Sequence, residues 1–395
     1  MTISAKHDLR VGMVFMTYPV ASETFAVRDV TALQRAGVSV DIHQLLVRDP
    51  RSSRLGRIAE VLGAVVAYPA KVNILRLLLR LLFSGGWSLT DRGKCLLLLG
   101  SAVRIAGQLI QSRPDVIHVF WGHYPALVLP LLEGQLPGTR RSMFLGAYDL
   151  EKKLPLSRWA HAEASVLFTH AQANVEDIRA FLGADACPVV IHRGIDLQAY
   201  PVTLPATFAG RPQRIFTAGR LIADKGFDRV IRAFALVRQA CPEATLSIAG
   251  AGPEHVPLQD LARSLGVEQA VEFVGWLDEQ QVREQLFQAR VFVLLSTKAG
   301  ERLPNAVKEA MAAGCVCISS RSPGIDELLE HERSGYVFDA EDEAAVVQAV
   351  ICGLRDEAAA MGCLAAATVR TNFDVNISAR RYVQRWCTEG VLSHE

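Results

Sequence analysis

Short apolar runs alternate along this chain with stretches whose apolar residues recur at every third and fourth position. Leu9–Thr17, Val38–Leu46, Val116–Phe120, Arg141–Leu145, Ala164–Thr169 and Val189–His192 read as strands, and Thr24–Ala36 as a helix. After residue 212 the pattern restarts. Arg214–Ala218, Ala244–Ala249, Val271–Val274, Val291–Leu295 and Cys315–Ser319 have the composition of buried strands. Between and after them, Phe227–Gln239, Pro257–Leu265, Gln280–Gln288, Asn305–Ala313 and Ala344–Leu354 have helical periodicity. Strand–helix–strand alternation predicts parallel, doubly wound sheets, so the fold class is α/β.

The interruption marks a boundary. Pro201, Pro205, Gly210 and Pro212 cluster where apolar periodicity is weak, which predicts a linker over 201–212. The expected organisation is a Rossmann-like domain over 1–200 that binds an acceptor and a second over 213–375 that binds a donor. Residues 376–395 are expected to form a helix returning to the first domain. A length of 395 residues suits two such cores. Ligands of open α/β sheets sit at the carboxyl ends of the strands, which puts the chemistry in a cleft between two facing domains.

Composition narrows the classes. Half of the residues are hydrophobic, 21% are charged and the formal net charge is +1, which argues against nucleic acid as a partner. The opening MTISAKHDLRVGMVF lacks an apolar signal core, so a cytoplasmic location is expected. The eight cysteines have no metal-ligand spacing and read as small buried hydrophobes; neither a metal nor a bound cofactor is expected. No apolar stretch reads as long enough to span a bilayer. Residues 72–83, VNILRLLLRLLF, are unusual: Arg76 and Arg80 share a helix face and leucines fill the rest. Such a segment suits a buried helix with a solvated arginine face, or a peripheral contact with the inner membrane.

Three strand-to-helix turns carry candidate chemistry. In Ala218-Gly219-Arg220-Leu221-Ile222-Ala223-Asp224-Lys225-Gly226, Gly219 is expected to permit a sharp turn. Arg220 and Lys225 then present two cations at a helix start, a combination that suits either a diphosphate or a solvated basic loop. In Gly250-Ala251-Gly252-Pro253-Glu254 the glycines suit either close approach to a ligand or a tight turn. In the third, Ser296 to Gly314, Pro304 suits a first helical residue and Gly314 a helix end. Glu301 falls before that helix and Glu309 within it, so the pair is not a solvated helix face; two carboxylates there can grip vicinal hydroxyls.

With these residues in hand, the segment from about Arg214 to Leu354 resembles family 4 glycosyltransferases of the GT-B fold. Glu301 and Glu309 match that family's E-x7-E motif, GRLIADKG its phosphate-binding stretch, AGAGPE its glycine turn, and EFVGW, followed by Leu277, its loop beside the base. SRSPGIDELLEHERSGYVF is similar to the segment that follows the donor motif. Ser22-Glu23-Thr24-Phe25 resembles a loop of the subgroup that builds exopolysaccharides of the colanic-acid kind, and His192-Arg193-Gly194-Ile195-Asp196 the close of the family's first domain.

The resemblance implies a metal-independent, retaining hexosyltransferase. It would move sugar from a nucleoside-diphosphate donor to a saccharide or lipid-linked saccharide. Arg220, Lys225 and Glu301 would be catalytic, with Gly219, Gly252, Leu277, Arg302, Leu303, Pro304, Asn305 and Glu309 binding the donor. Ser22, Glu23, Thr24, His123, Tyr148 and Asp149 are expected on the acceptor side. His118, His123 and His170 lie near strand ends, where a structural role is the commoner one. This chain departs from the family at Ser22-Glu23-Thr24, where Gly-Gly is frequent, at Gly146-Ala147-Tyr148-Asp149, where a histidine is frequent, and at Arg302, where glycine is frequent. An epimerase or phosphorylase on the same architecture, or a non-catalytic nucleotide-binding homologue, stays open.

Overall fold

The computed structural model describes residues 9–20, 24–46, 63–202, 205–298 and 300–388. It resolves into two compact units, residues 1–193 with 375–395, and residues 194–374.

The first unit is built on a parallel sheet of β1 (Arg10–Phe15), β2 (Ser39–Gln44), β3 (Val116–Val119), β4 (Arg140–Phe144), β5 (Val166–Thr169) and β6 (Val189–Val190). Their order is β2-β1-β3-β4-β5-β6, so the winding reverses between β1 and β3. Alternate residues of each strand serve opposite faces. Met13 and Phe15 join Phe120, Phe144 and Phe168 on one side, whereas Val14 joins Ile117, Val119 and Met143 on the other. The first side is covered by helix Thr24–Arg35 and by helix Val375–Cys387, which pack on each other; Trp386 is buried there. The second side is covered by helices Lys71–Phe83 and Leu89–Ser112. Both faces being covered explains why β1, β3 and β5 are largely apolar along their length.

Helix Leu89–Ser112 corrects one expectation. With 24 residues it is long and apolar enough, by length and composition, to cross a membrane. Its block Leu96–Leu99 is followed by Gly100, Ser101, Ala102 and Gly107, so small residues interrupt the apolar run. Its Leu98, Val103, Ile105 and Leu109 lie in the core of this unit.

The second unit carries β7 (Arg214–Ala218), β8 (Thr245–Ala249), β9 (Val271–Gly275), β10 (Val291–Leu294), β11 (Val316–Ser320) and β12 (Tyr336–Phe338). The parallel order β12-β11-β10-β7-β8-β9 is that of a dinucleotide-binding sheet and reverses between β7 and β10. The stretch expected as a linker is partly core. Pro205–Ala209 is helical, Phe208 is fully buried, and the buried Arg211 donates to the carbonyls of Ala289 (2.8 Å) and Ala313 (2.6 Å). Arg290 returns the tie through Arg211 O and Ala209 O, both at 2.8 Å. The prolines that suggested a linker fix the chain direction while one aromatic ring anchors it.

Candidate functional site

In the second unit the loops after β7, β8 and β10 are laid main chain on main chain. Gly219 N donates to Ala249 O, Leu221 N to Ala251 O, Glu254 N to Leu221 O and Thr297 N to Asp224 O, at 2.9–3.0 Å. Three glycines permit this closeness. A Cβ on Gly250 (φ +144°) would lie 1.8 Å from Gly219 O, one on Gly252 2.2 Å from Leu221 O, and one on Gly226 (φ +69°) 2.1 Å from Leu295 O. The glycine turn therefore serves loop-on-loop packing. Gly219, expected to permit a sharp turn, has no positive φ and room for a Cβ, its nearest neighbour being Phe227 at 3.5 Å.

Lys225 leaves the loop after β7 and Glu301 the loop after β10, the two strands flanking the reversal. Their side chains, each 15% exposed, form an ion pair between Lys225 Nζ and Glu301 Oε2. Ser296 Oγ reaches the same carboxylate oxygen at 3.0 Å and the Asp224 carbonyl at 3.1 Å, tying the two loops together. Ser296 escaped the sequence reading because a lone serine after an apolar strand carries no distinguishing signal. Arg220 is exposed and makes no ion pair among the described residues.

Glu309 is half-buried on helix Asn305–Ala312, which ends as expected at Gly314 (φ +76°). Pro304 is the residue before that helix (ψ 127°), not its first turn. Leu303 and Pro304 are buried; Arg302 and Asn305 are half-buried. Lys308, between Asn305 and Glu309, is a buried cation: its Nζ lies 3.2 Å from Asn305 Oδ1 and 5.5 Å from the Phe373 ring centre. Leu277 follows β9 and is half-buried, beside the 71% exposed Trp276. The second unit thus gathers Lys225, Glu301 and the starts of helices Phe227–Ala240 and Asn305–Ala312 at the carboxyl ends of β7 and β10. A cation, carboxylates and helix N-termini together suit a ligand with both phosphate and hydroxyl groups.

The first unit brings together His123, Tyr148 and Asp149, after β3 and β4. His123 Nδ1 stands 3.4 Å from Asp149 Oδ1. The approach lacks hydrogen-bond alignment, and both buried atoms have no hydrogen-bond partner among the described residues. Asp149 Oδ2 is already used, accepting from Gly146 N at 2.9 Å. The His123 ring sits against Tyr148 (5.3 Å) and Trp121 (6.0 Å). Nearby, Tyr124 Oη donates to Asp91 Oδ1 at 2.6 Å. Hydrogen bonds from Ser88 and then Tyr124 hold the Asp91 carboxyl below its ordinary range. Thr24 opens its helix, and Ser22 and Glu23 lie outside the described residues.

Arg193 was read only as part of a closing segment. It is buried over Phe25 (4.3 Å) and Phe144 (4.7 Å) and pairs with Asp29 at 3.1 Å. His118 is structural: buried, 2.9 Å from Ser142 Oγ, with its pKa lowered to about 3 by burial and then by Arg193. It borders a cavity of about 10 Å³ with Asp29, Tyr382 and Trp386, room for about one water.

Residues 206–368 match the family described as glycosyl transferases, group 1. The amylovoran biosynthesis glycosyltransferase AmsK of Erwinia amylovora is 26% identical over 409 residues, covering 93% of this chain and 97% of that one. A putative colanic acid biosynthesis glycosyltransferase, WcaL of Escherichia coli K12, is 27% identical and covers 86% and 89%. Glycogen synthase of Mycobacterium tuberculosis is 29% identical over 73% of this chain and 71% of its own. Among solved structures, Anabaena HepE in complex with UDP and glucose superposes with a TM-score of 0.66 at 15% identity, over 96% of this chain and 100% of that one.

Proposed function

Residues 206–368 are a group 1 glycosyl transferase domain of the family 4 type, and from that premise we propose the reaction this chain performs. It transfers a hexose-type sugar from a nucleoside-diphosphate donor to a saccharide or lipid-linked saccharide, with retention, in the building of a bacterial exopolysaccharide or cell-surface glycan. The amylovoran biosynthesis glycosyltransferase and the putative colanic acid biosynthesis glycosyltransferase, matched over most of their length, support the pathway class. HepE, which binds UDP and glucose on this fold, supports the donor class.

The observation that carries the reading is the Lys225–Glu301 pair at the sheet reversal. An arriving diphosphate competes with Glu301 for the ammonium, and Glu301, released, accepts hydroxyls of the donor sugar. Arg220, Lys225 and the start of helix Phe227–Ala240 meet the charge that builds as the anomeric carbon–oxygen bond breaks. The acceptor oxygen bonds to that carbon and its proton passes to the departing phosphate. Glu309 accepts from ribose hydroxyls. No metal takes part. The His123–Tyr148–Asp149 patch, whose polar pair has hydrogen-bonding capacity to spare, is the assigned acceptor side.

Calorimetric titration of the full chain with UDP, GDP and ADP, followed by turnover of the matching sugar nucleotides with and without EDTA, tests this. One nucleoside diphosphate should bind, its sugar donor should be consumed only with acceptor, and EDTA should leave the rate unchanged. Conversion of the donor alone would indicate an epimerase, and tight nucleotide binding with no turnover a non-catalytic homologue. Loss of activity in EDTA with rescue by manganese would overturn the metal-free step.

A further inference from the structure

Helix Lys71–Phe83 does not sort its residues as a solvated surface helix does. Ile74, Leu77 and Leu81 are buried, but Leu75, Leu79 and Leu82 stand outward beside the exposed Arg76 and Arg80, and Phe83 is 80% exposed. Rotation cannot relieve this. The buried Asn73 is pinned inward, its Nδ2 donating to Leu131 O at 2.9 Å and Glu133 O at 2.8 Å. Releasing it would leave a buried amide without partners. The apolar surface continues past the turn, where Leu89 is 88% and Leu97 85% exposed. Eight of the seventeen exposed large hydrophobic side chains among the described residues lie between Val66 and Leu97.

Charge is sorted with the same sharpness. Residues 63–112 contain Lys71, Arg76, Arg80, Arg92, Lys94 and Arg104 against one acid, Asp91, in a chain whose formal net charge is +1. Asp91 is buried, whereas Lys71, Arg76, Arg80 and Lys94 are exposed. The neighbouring acids are Glu133, paired with Arg76 at 3.0 Å, and Glu163, which pairs with Arg141 at 2.7 Å and lies within charge range of Arg80. Arg80 lies 6.0 Å from the Trp159 ring, which packs with Trp87 at 5.7 Å, giving the patch an aromatic flank. A second copy of the chain is a poor occupant, because a two-fold contact would set this cationic surface against itself. Apolar side chains among cations fit a surface that offers hydrocarbon beneath negative headgroups.

We propose that the face formed by helix Lys71–Phe83 and the start of helix Leu89–Ser112 docks on an anionic lipid bilayer, with Leu75, Leu79, Leu82, Phe83 and Leu89 entering the headgroup boundary and Lys71, Arg80 and Lys94 contacting the headgroups. The inference is independent of the transferase reading, since vesicle binding needs neither donor nor acceptor.

The test is co-sedimentation of the full chain with phosphatidylcholine vesicles and with vesicles that also carry phosphatidylglycerol. The chain should bind the anionic vesicles and release them as salt is raised. The double substitution Leu79→Ser, Phe83→Ser should weaken binding about tenfold or more, since two large apolar side chains leave the interface. Arg80→Glu should flatten the salt dependence, and the melting temperature of each variant shows that the fold survives. Equal binding to both vesicle types, or binding untouched by folded variants, would overturn the proposal. So would a dimer in sedimentation velocity that disappears in the Phe83→Ser variant.

Discussion

Both sheets are parallel and six-stranded with one reversal, yet their strand-end loops are held by different means. In the second unit a Cβ added at Gly226, Gly250 or Gly252 would strike a main-chain carbonyl within 2.2 Å. In the first, a Cβ at Gly122 would strike Leu145 Cδ2 at 2.0 Å and one at Gly146 the Trp121 ring at 2.5 Å. Both of those neighbours are side-chain atoms. A carbonyl held in a hydrogen-bonded loop cannot step aside, whereas a leucine or tryptophan can change rotamer at modest cost. The donor-side candidate is therefore fixed by backbone, and the acceptor-side candidate by packing that can adjust. One arrangement suits a part of the ligand that never varies; the other suits acceptors of differing shape.

The sharpest way to break this comparison is to fill the glycines. Gly250→Ala meets both a strained φ and a carbonyl, and should cost about 3 kcal/mol or more in urea unfolding. Gly219→Ala, with room for its methyl, should stay within about 0.5 kcal/mol of the parent. Gly146→Ala should fall between them because Trp121 can move. Equal losses at Gly250 and Gly146 would erase the distinction.

Function should divide along the same line. Lys225→Ala is expected to lower turnover about a hundredfold while changing donor affinity less, as for a group that acts mainly when the diphosphate leaves. Tyr148→Ala in the first unit should instead raise the KM for acceptor and leave nucleotide affinity as it was. Steady-state kinetics on both substrates, with calorimetry for the nucleotide, separates the outcomes. A change in nucleotide affinity in the Tyr148 variant would blur the assignment of the two sides.

A separate effect concerns acid. His118 has a folded pKa of about 3, below the value near 6.5 expected once unfolded. Between these values the unfolded chain binds the extra proton, so stability is full above about pH 6.5 and falls as pH drops toward 3. This one group therefore contributes to the loss of stability toward acid. His118→Gln should remove that part of the slope, measured by urea unfolding at a series of pH values, and an unchanged slope would assign the acid sensitivity elsewhere.

Much of the second unit was legible because its strands are short apolar runs punctuated by turn residues. Arg214–Ala218 coincides with β7, and Val291–Leu295 and Cys315–Ser319 overlap β10 and β11 within a residue at each end. β12, Tyr336–Phe338, was not read as a strand, since three residues give no alternation to detect. Helix Leu89–Ser112 was missed because small residues dilute its apolar face. At the candidate site the positions of Lys225 and Glu301 were visible, but their contact was not. They are 76 residues apart and meet only because β7 and β10 are neighbours across the reversal. Ser296 and the aromatic seat of Arg193 were hidden for the same reason: partners supplied by strand order leave no local trace.

The return of helix Val375–Cys387 to the first unit has a consequence for synthesis. The strands of the first sheet precede the second unit in sequence, yet the helix that covers Phe15, Phe120 and Phe168 together with helix Thr24–Arg35 is translated after it. The second unit, continuous from residue 194 to 374, is synthesised whole before that helix is made. At typical rates its translation occupies roughly 10–40 s, during which the aromatic face of the first sheet waits open. The aromatic face of the first sheet is thus closed only once residues 375–387 have followed the whole second unit.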